Sequence, residues 1–273
     1  MFRNRLIGDA KTIYRLFTQN EPILQLDFDE YLPDQSVVCF EDVTIGLSNS
    51  SMWYQWGMDE LHEGPLLDPK VTPEHFRKFK NYLIEKMNIN IVCPQISYGV
   101  LFTRKRTRQI LNQNELASSI EKEFEISIQV VGMEDNSIME IIRIVSCAEL
   151  LISMHGALMI LAMFLPRHAV VVEMYPYAIN PEFYQVYQTM LNLQDLDIKY
   201  IAWRNMNASN AIEPPSYRFH LNNLSEEKRL AILSRTEAPR KVCCYDPEWQ
   251  YRMYQNTVVN VTEVIKLLKK HCI

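Results

Sequence analysis

From residue 100 onward, apolar and polar positions alternate between two periods, and the change of period marks the elements. Short apolar runs at 100–103, 126–131, 149–153, 169–174 and 198–203 have the length and β-branched content of buried strands. Between them lie stretches of helical spacing, beginning near Asn114, at 137–147, directly after Ala157 and over 181–191. Five strands separated by helices predict an α/β domain, a parallel sheet covered on both faces in the Rossmann-like manner. The order weakens after Arg204, where 205–224 is rich in Asn, contains Pro214-Pro215 and reads as a surface loop. A last amphipathic helix, over 258–271, sets Val261, Val264, Ile265 and Leu268 on one face.

Before residue 100 the signals are mixed. Residues 9–18 read as an amphipathic helix with Asp9 as its N-cap, and 36–40 and 43–47 as short strands. An aromatic stretch over 52–58 runs into a loop of Gly and Pro. From Pro73 a helix places Phe76, Phe79, Leu83, Ile84 and Met87 on one face. Residues 88–99 are irregular, and Pro94 suits a hinge. The expected division is therefore 1–95, 96–256 and a terminal helix over 257–273.

The chain of 273 residues, 48% of them hydrophobic, is long enough for one large domain or two modest ones. A formal charge of −5 gives no basic footprint for nucleic acid, so an anionic ligand needs a local basic pocket. No apolar run reaches the length of a bilayer span, and the first residues lack the apolar core of a signal peptide. Of six cysteines, Cys39, Cys93 and Cys147 sit in apolar stretches and read as buried thiols; the Cys243-Cys244 pair and Cys272 read equally as a disulfide or as free thiols. Sequons at Asn49, Asn207, Asn223 and Asn260 hint at a lumenal setting.

The seven glycines build neither a dinucleotide turn nor a phosphate loop, and there is no nucleophile elbow, HExxH or DxD cluster. Candidate chemistry gathers instead at strand ends. After the strand at 149–153 comes Met154-His155-Gly156-Ala157, a short turn whose N–H groups would face an anion at the expected helix start. Gly156 would let phosphate approach the backbone. Ser153 and His155 are neighbours without a third group to orient the His, so a Ser–His nucleophile is a weak reading. His155 suits a phosphate or sugar contact, or acid/base work; a lone His is otherwise a satisfied buried residue. Arg104 follows the first strand and reaches phosphate in bidentate fashion, with Arg108 assisting and Lys105 and Arg106 facing water; the same run reads equally as a solvated basic turn. Glu173, near the end of its strand, suits ribose hydroxyls or a salt bridge to Arg167. Trp203-Arg204 suits stacking on a base or closing the core.

Several long segments carry a resemblance: LLISMHGALMILAMFLPRHAVVVEMYPYAINPEFY, DIKYIAWRNM and PRKVCCYDPEWQYRMYQNT, and earlier VCFEDVTIGLSNSSMWYQWGM and VLFTRKRTRQILNQNEL. In order along nearly the whole chain, they resemble inverting glycosyltransferases of the O-GlcNAc/xylosyl type. The resemblance implies a GT-B architecture of two Rossmann-like lobes, the N-terminal one incomplete here. It implies GlcNAc transfer from UDP-GlcNAc to O-linked mannose on glycoproteins such as dystroglycan, in the endoplasmic reticulum. Arg104, Arg108, Ser153, His155, Gly156, Ala157 and Glu173 would then line the donor site, with His155 as the catalytic candidate. Positive charge at such a site stabilises departing UDP, so a divalent metal is not obligatory. Relatives of this kind begin with a membrane anchor and a His/Asp-rich segment and continue into a fibronectin type III domain, so the resemblance implies a chain shortened at both ends. It leaves open two further readings: an inactive sugar-nucleotide or glycoprotein-binding remnant, and a related transferase with another protein acceptor.

Overall fold

The computed structural model describes residues 71–214, 221, 224–239 and 246–272, together with 16–18, 36, 37, 39 and 41. The elements expected at 9–18, 36–40 and 43–47, and the aromatic stretch at 52–58, lie wholly or largely outside the described residues.

Five parallel strands form one sheet: β1 (Tyr98–Phe102), β2 (Ser127–Val131), β3 (Leu150–Met154), β4 (Val170–Tyr175) and β5 (Lys199–Arg204). Their order is β2-β1-β3-β4-β5. Each expected strand is present, displaced by no more than two residues at either end. Alternate side chains enter opposite cores, as strand pleating requires. Val100, Phe102, Leu151 and Val171 point to one side, against α1 (Pro73–Lys86), α3 (Ile138–Val145) and α4 (Val186–Leu191). Leu101, Leu150, Ile152, Val172 and Met174 point to the other, against α2 (Gln113–Phe124) and the terminal α7 (Val261–Cys272). With both faces covered, β3 and β4 are buried along nearly all of their length and read as continuous apolar runs.

Local chemistry explains several boundaries. In α1 Thr72 and His75, and in α3 Ser137 and Glu140, form reciprocal capping boxes, and Pro73 occupies the first turn of α1. α1 packs Phe76 and Leu83 into the same core as the sheet. Phe79 departs from the expected buried face; it is 43% exposed and stacks on Phe17 at 6.1 Å. Val264 and Leu268 of α7 are buried as their spacing predicts.

Two expected helices differ. Residues Ala157–Phe164 wind as a 3-10 helix entered through Gly156, which offers no capping side chain. Six of its eight residues are buried, in contact with α1, α3 and α4. The helix expected over 181–191 divides into a 3-10 turn, Pro181–Phe183, and α4. Between them Tyr184 leaves helical geometry, buries its ring and offers its carbonyl to the Tyr175 hydroxyl at 2.9 Å.

The region read as a surface loop after Arg204 is more ordered than expected. Asn205 is buried, and β6 (Ala211–Ile212) pairs with β7 (Asn256–Thr257) in a small antiparallel ladder. The helices α5 (Glu226–Ser234) and α6 (Pro247–Tyr254) follow, and α6 brings Trp249 and Met253 against Tyr175 and Tyr184. Cys93 and Cys147, expected as buried thiols, form a disulfide with Cα atoms 5.3 Å apart, and Cys39 is an exposed free thiol. The reason is positional: residues 92–97 run along the surface past the end of α3, and apolar neighbours in sequence did not bury them.

Candidate functional site

The strand order decides where a ligand can enter. From β1 the chain turns outward to β2, then returns to place β3 on the other side of β1. The connections leaving β1 and β3 therefore diverge to opposite faces, opening a crevice at the carboxyl ends of these two strands. Residues 103–109 leave β1 at this point, and Met154-His155-Gly156 leaves β3.

Arg104 and Arg108 converge on Gly156. A methyl group built there would stand 2.5 Å from Arg108 Nη1 and 2.7 Å from Arg104 Nη2, so a side chain there would push the guanidinium groups away. Gly156 also has φ +145° and ψ 176°, a conformation essentially reserved for glycine. Several contacts hold Arg108 in place. Its N–H donates to the Tyr254 carbonyl at 3.2 Å, its guanidinium lies 4.7 Å from the Tyr254 ring centre, and Nη1 donates to the His155 carbonyl at 3.1 Å. Arg108 itself adopts φ +55°. Arg104 is half-buried, and burial pushes its guanidinium below its ordinary pKa, against the opposing influence of Tyr187, Glu134 and Tyr254. Among the described residues it has no carboxylate within ion-pair distance. Two unit charges about 5 Å apart at an effective dielectric of about 20 repel by about 3 kcal/mol. An anion between the guanidinium groups reverses the sign of that term.

Lys105 and Arg106 are exposed, as expected, and Lys105 pairs with Asp135. Ala157 is exposed beside Gly156 at the start of the 3-10 helix. Ser153 is not available to a ligand. It is 1% exposed, and its hydroxyl donates to the Met154 carbonyl at 2.9 Å. The Ser153–His155 pairing is thus absent, because Ser153 still belongs to the strand and faces the core.

Glu173 is the largest departure from expectation. Neither ribose nor Arg167 can reach it: the side chain is wholly buried, and both carboxylate oxygens are taken. Oε1 lies 2.6 Å from His155 Nδ1, and Oε2 accepts from the Tyr200 hydroxyl at 2.6 Å. Arg167 pairs instead with Asp197 on the surface. The His155 ring stacks on Tyr175 at 5.0 Å and meets Tyr184 and Tyr187 at 6.0 and 5.7 Å. Burial, and then the charge of Glu173, raise the hydroxyl pKa of Tyr175 and of Tyr200, keeping both as protonated donors. Trp203 closes the core, with Nε1 donating to Glu263 at 3.2 Å, and Arg204 ties down Thr236 and Glu237.

The aromatic wall of this site was missed from sequence. The density of tyrosines at 175, 177, 184 and 187 was the available signal; nothing local linked them to Tyr200 or Tyr254. Among the described residues no three His, Cys, Asp or Glu side chains gather as metal ligands. A cavity of about 490 Å³ lies at the opposite, amino end of the strands, between Phe124, Leu150, Val170 and Leu268, with Glu149, Arg167 and His168 in its lining and without Arg104, Arg108 or His155.

Comparison with known proteins adds an independent line. The family model described as glycosyltransferase 61 matches residues 50–172, a span that includes Arg104, Arg108, His155 and Gly156. Proteins named protein O-linked-mannose beta-1,4-N-acetylglucosaminyltransferase 2 match almost the whole chain. The Canis lupus familiaris protein is 34% identical over 263 residues, 94% of this chain and 45% of the relative. The Takifugu rubripes protein is 34% identical over 279 residues, covering 96% and 47%. The Danio rerio protein is 36% identical over 262 residues, covering 94% and 45%. This chain thus spans about half the length of the curated relatives it matches.

Proposed function

We propose that this chain, a relative of the O-linked-mannose β-1,4-N-acetylglucosaminyltransferase 2 proteins, binds UDP-GlcNAc and moves GlcNAc onto O-linked mannose of glycoproteins with inversion. It carries glycosyltransferase 61 sequence across the strands that build the crevice. The observation that carries the proposal is the pair of guanidinium groups closing on Gly156 at the carboxyl ends of β1 and β3.

In this reading the diphosphate of the donor lies between Arg104 and Arg108. The acceptor hydroxyl oxygen attacks the anomeric carbon, the bond to the diphosphate oxygen breaks, and the electron pair leaves with UDP. Charge develops on that diphosphate in the transition state, where two preorganised guanidinium groups stabilise it most. They supply positive charge without requiring a divalent metal. Gly156 admits the phosphate because it has no side chain, and His155 lies next to it. Inversion also needs a group to take the proton of the mannose hydroxyl.

In the same reading the five-stranded sheet is the nucleotide-sugar lobe of a GT-B arrangement, with the acceptor-side lobe drawn from the earlier residues. An endoplasmic-reticulum setting with an O-mannosylated glycoprotein acceptor such as dystroglycan fits the Cys93–Cys147 disulfide, since such bonds persist in oxidising compartments. Among the described residues no helix is long and apolar enough to cross a membrane.

Calorimetry with UDP tests the site. Wild-type protein binds, and Arg104→Ala or Arg108→Ala weakens binding by about ten- to a hundredfold, as loss of a charge-assisted hydrogen bond implies. No binding by the wild type, or binding indifferent to both substitutions, would falsify the assignment.

A further inference from the structure

Glu173 is a buried carboxylate that no surface group can reach, and its two oxygens divide their partners in a definite way. The Tyr200 hydroxyl donates to Oε2 at 2.6 Å and stands 3.2 Å from the Tyr175 hydroxyl, which itself donates to the Tyr184 carbonyl. That leaves Oε1 to accept from His155 Nδ1 at 2.6 Å. A carboxylate has no proton to give, so the shared hydrogen belongs to Nδ1. The three tyrosine rings around His155 remove its rotational freedom, and the side chain is 12% exposed.

The two ring nitrogens lie on opposite sides of the imidazole. With Nδ1 bound to Glu173, Nε2 points away from that buried carboxylate, and among the described residues it has no hydrogen-bond partner. His155 is linked to the arginine pair through its backbone and through Tyr187. Arg108 bonds the carbonyl of His155 itself, and Tyr187, which packs edge-on against the imidazole, acts electrostatically on Arg104. The register supports the arrangement, because β4 and β5 pair Val171 with Tyr200 and Glu173 with Ala202. Tyr200 therefore rises on the same sheet face as Glu173, one pair along, within reach of its outer oxygen.

We propose that Tyr200 and Glu173 are positioning residues, a buried hydroxyl–carboxylate–imidazole chain that fixes the His155 proton on Nδ1 and presents Nε2 as an acceptor to a hydroxyl of the nucleotide whose diphosphate Arg104 and Arg108 hold. This deepens the nucleotide-sugar reading and rests on it for the identity of the ligand. Glu173 acts through His155 and touches no substrate. The logic is that of any imidazole whose outer nitrogen is set by a carboxylate behind it.

Nitrogen-15 NMR of the histidine rings reads the arrangement directly, with the His155 signals assigned from a His155→Gln variant. The wild-type imidazole should carry its proton on Nδ1, and saturating UDP should move the Nε2 resonance. In Glu173→Gln the amide N–H₂ can donate to Nδ1, so the proton should pass to Nε2, and UDP affinity should fall about tenfold or more. Tyr200→Phe removes one hydroxyl from the chain; it should leave the tautomer in place and weaken UDP binding by about fivefold. Thermal melting of each variant separates loss of fold from loss of positioning. A wild-type ring with Nδ1 bare and Nε2 protonated overturns the chain, as does an Nε2 resonance that UDP leaves unmoved. Failure of UDP to bind the wild type at all would instead sink the nucleotide reading, while the tautomer measurement still decides the buried chain.

Discussion

Gly156 combines two constraints that reinforce one another. Its backbone conformation disfavours any side chain, and a Cβ there would have to push the two guanidinium groups aside. Gly156→Ala should therefore destabilise the fold by about 1–3 kcal/mol, the usual cost of a residue held in a glycine-only region. It should also displace Arg104 and Arg108 and weaken UDP binding at least as much as losing one arginine. Urea denaturation and calorimetry measure the two effects, and a variant of unchanged stability would remove the strain argument. At this scale the sequence was informative wherever a residue type is chemically singular. A glycine beyond a strand end and arginines beyond another were legible as candidates, and the structure brings them together. Glu173 was legible as a carboxylate near a strand end, but its use was not, because Tyr200, 27 residues later, takes one oxygen and His155 the other.

Among the elements, α1 makes an unusual contact. The Lys80 ammonium donates to the Leu165 carbonyl at 2.7 Å, tying α1 to the end of the 3-10 helix. Burial pushes the Lys80 pKa down to about 8 from its ordinary 10.5. Between these two values the unfolded chain binds more protons than the folded one, so the Lys80 contribution makes stability rise with pH across pH 8–10.5 and level off below it. Lys80→Met should be more stable relative to wild type at neutral pH than at pH 10, and urea midpoints across that range should show the difference shrinking as pH rises. A constant difference would mean that Lys80 keeps its ordinary pKa. Helix starts such as Thr72 and Ser137 were readable because capping is local. The form of residues 157–164 and the break at Tyr184 were not. Both depend on what the segment packs against, and an all-apolar run has no polar face from which to read its winding.

For the molecule as a whole, the Cys93–Cys147 disulfide closes a 54-residue separation that contains β1, α2, β2 and α3. Reduction, or a Cys93→Ser and Cys147→Ser double variant, should cost about 2–4 kcal/mol in urea unfolding, a loss placed largely in the freed unfolded chain. The sheet itself should survive, since its two cores do not depend on the bond. Equal stability of oxidised and reduced protein would contradict this. The alternation of short apolar runs with helical spacing, taken alone, determined an α/β domain, its five strands to within two residues and the Gly156 turn. These follow from local periodicity and residue type. Only the tertiary structure decided the rest: the order β2-β1-β3-β4-β5 that brings 104–108 to residue 156, the burial that turns Glu173 from ligand contact to support for His155, and the pairing of Cys93 with Cys147. Each joins residues distant in sequence, and no local pattern records which distant strand or side chain will fill a given space.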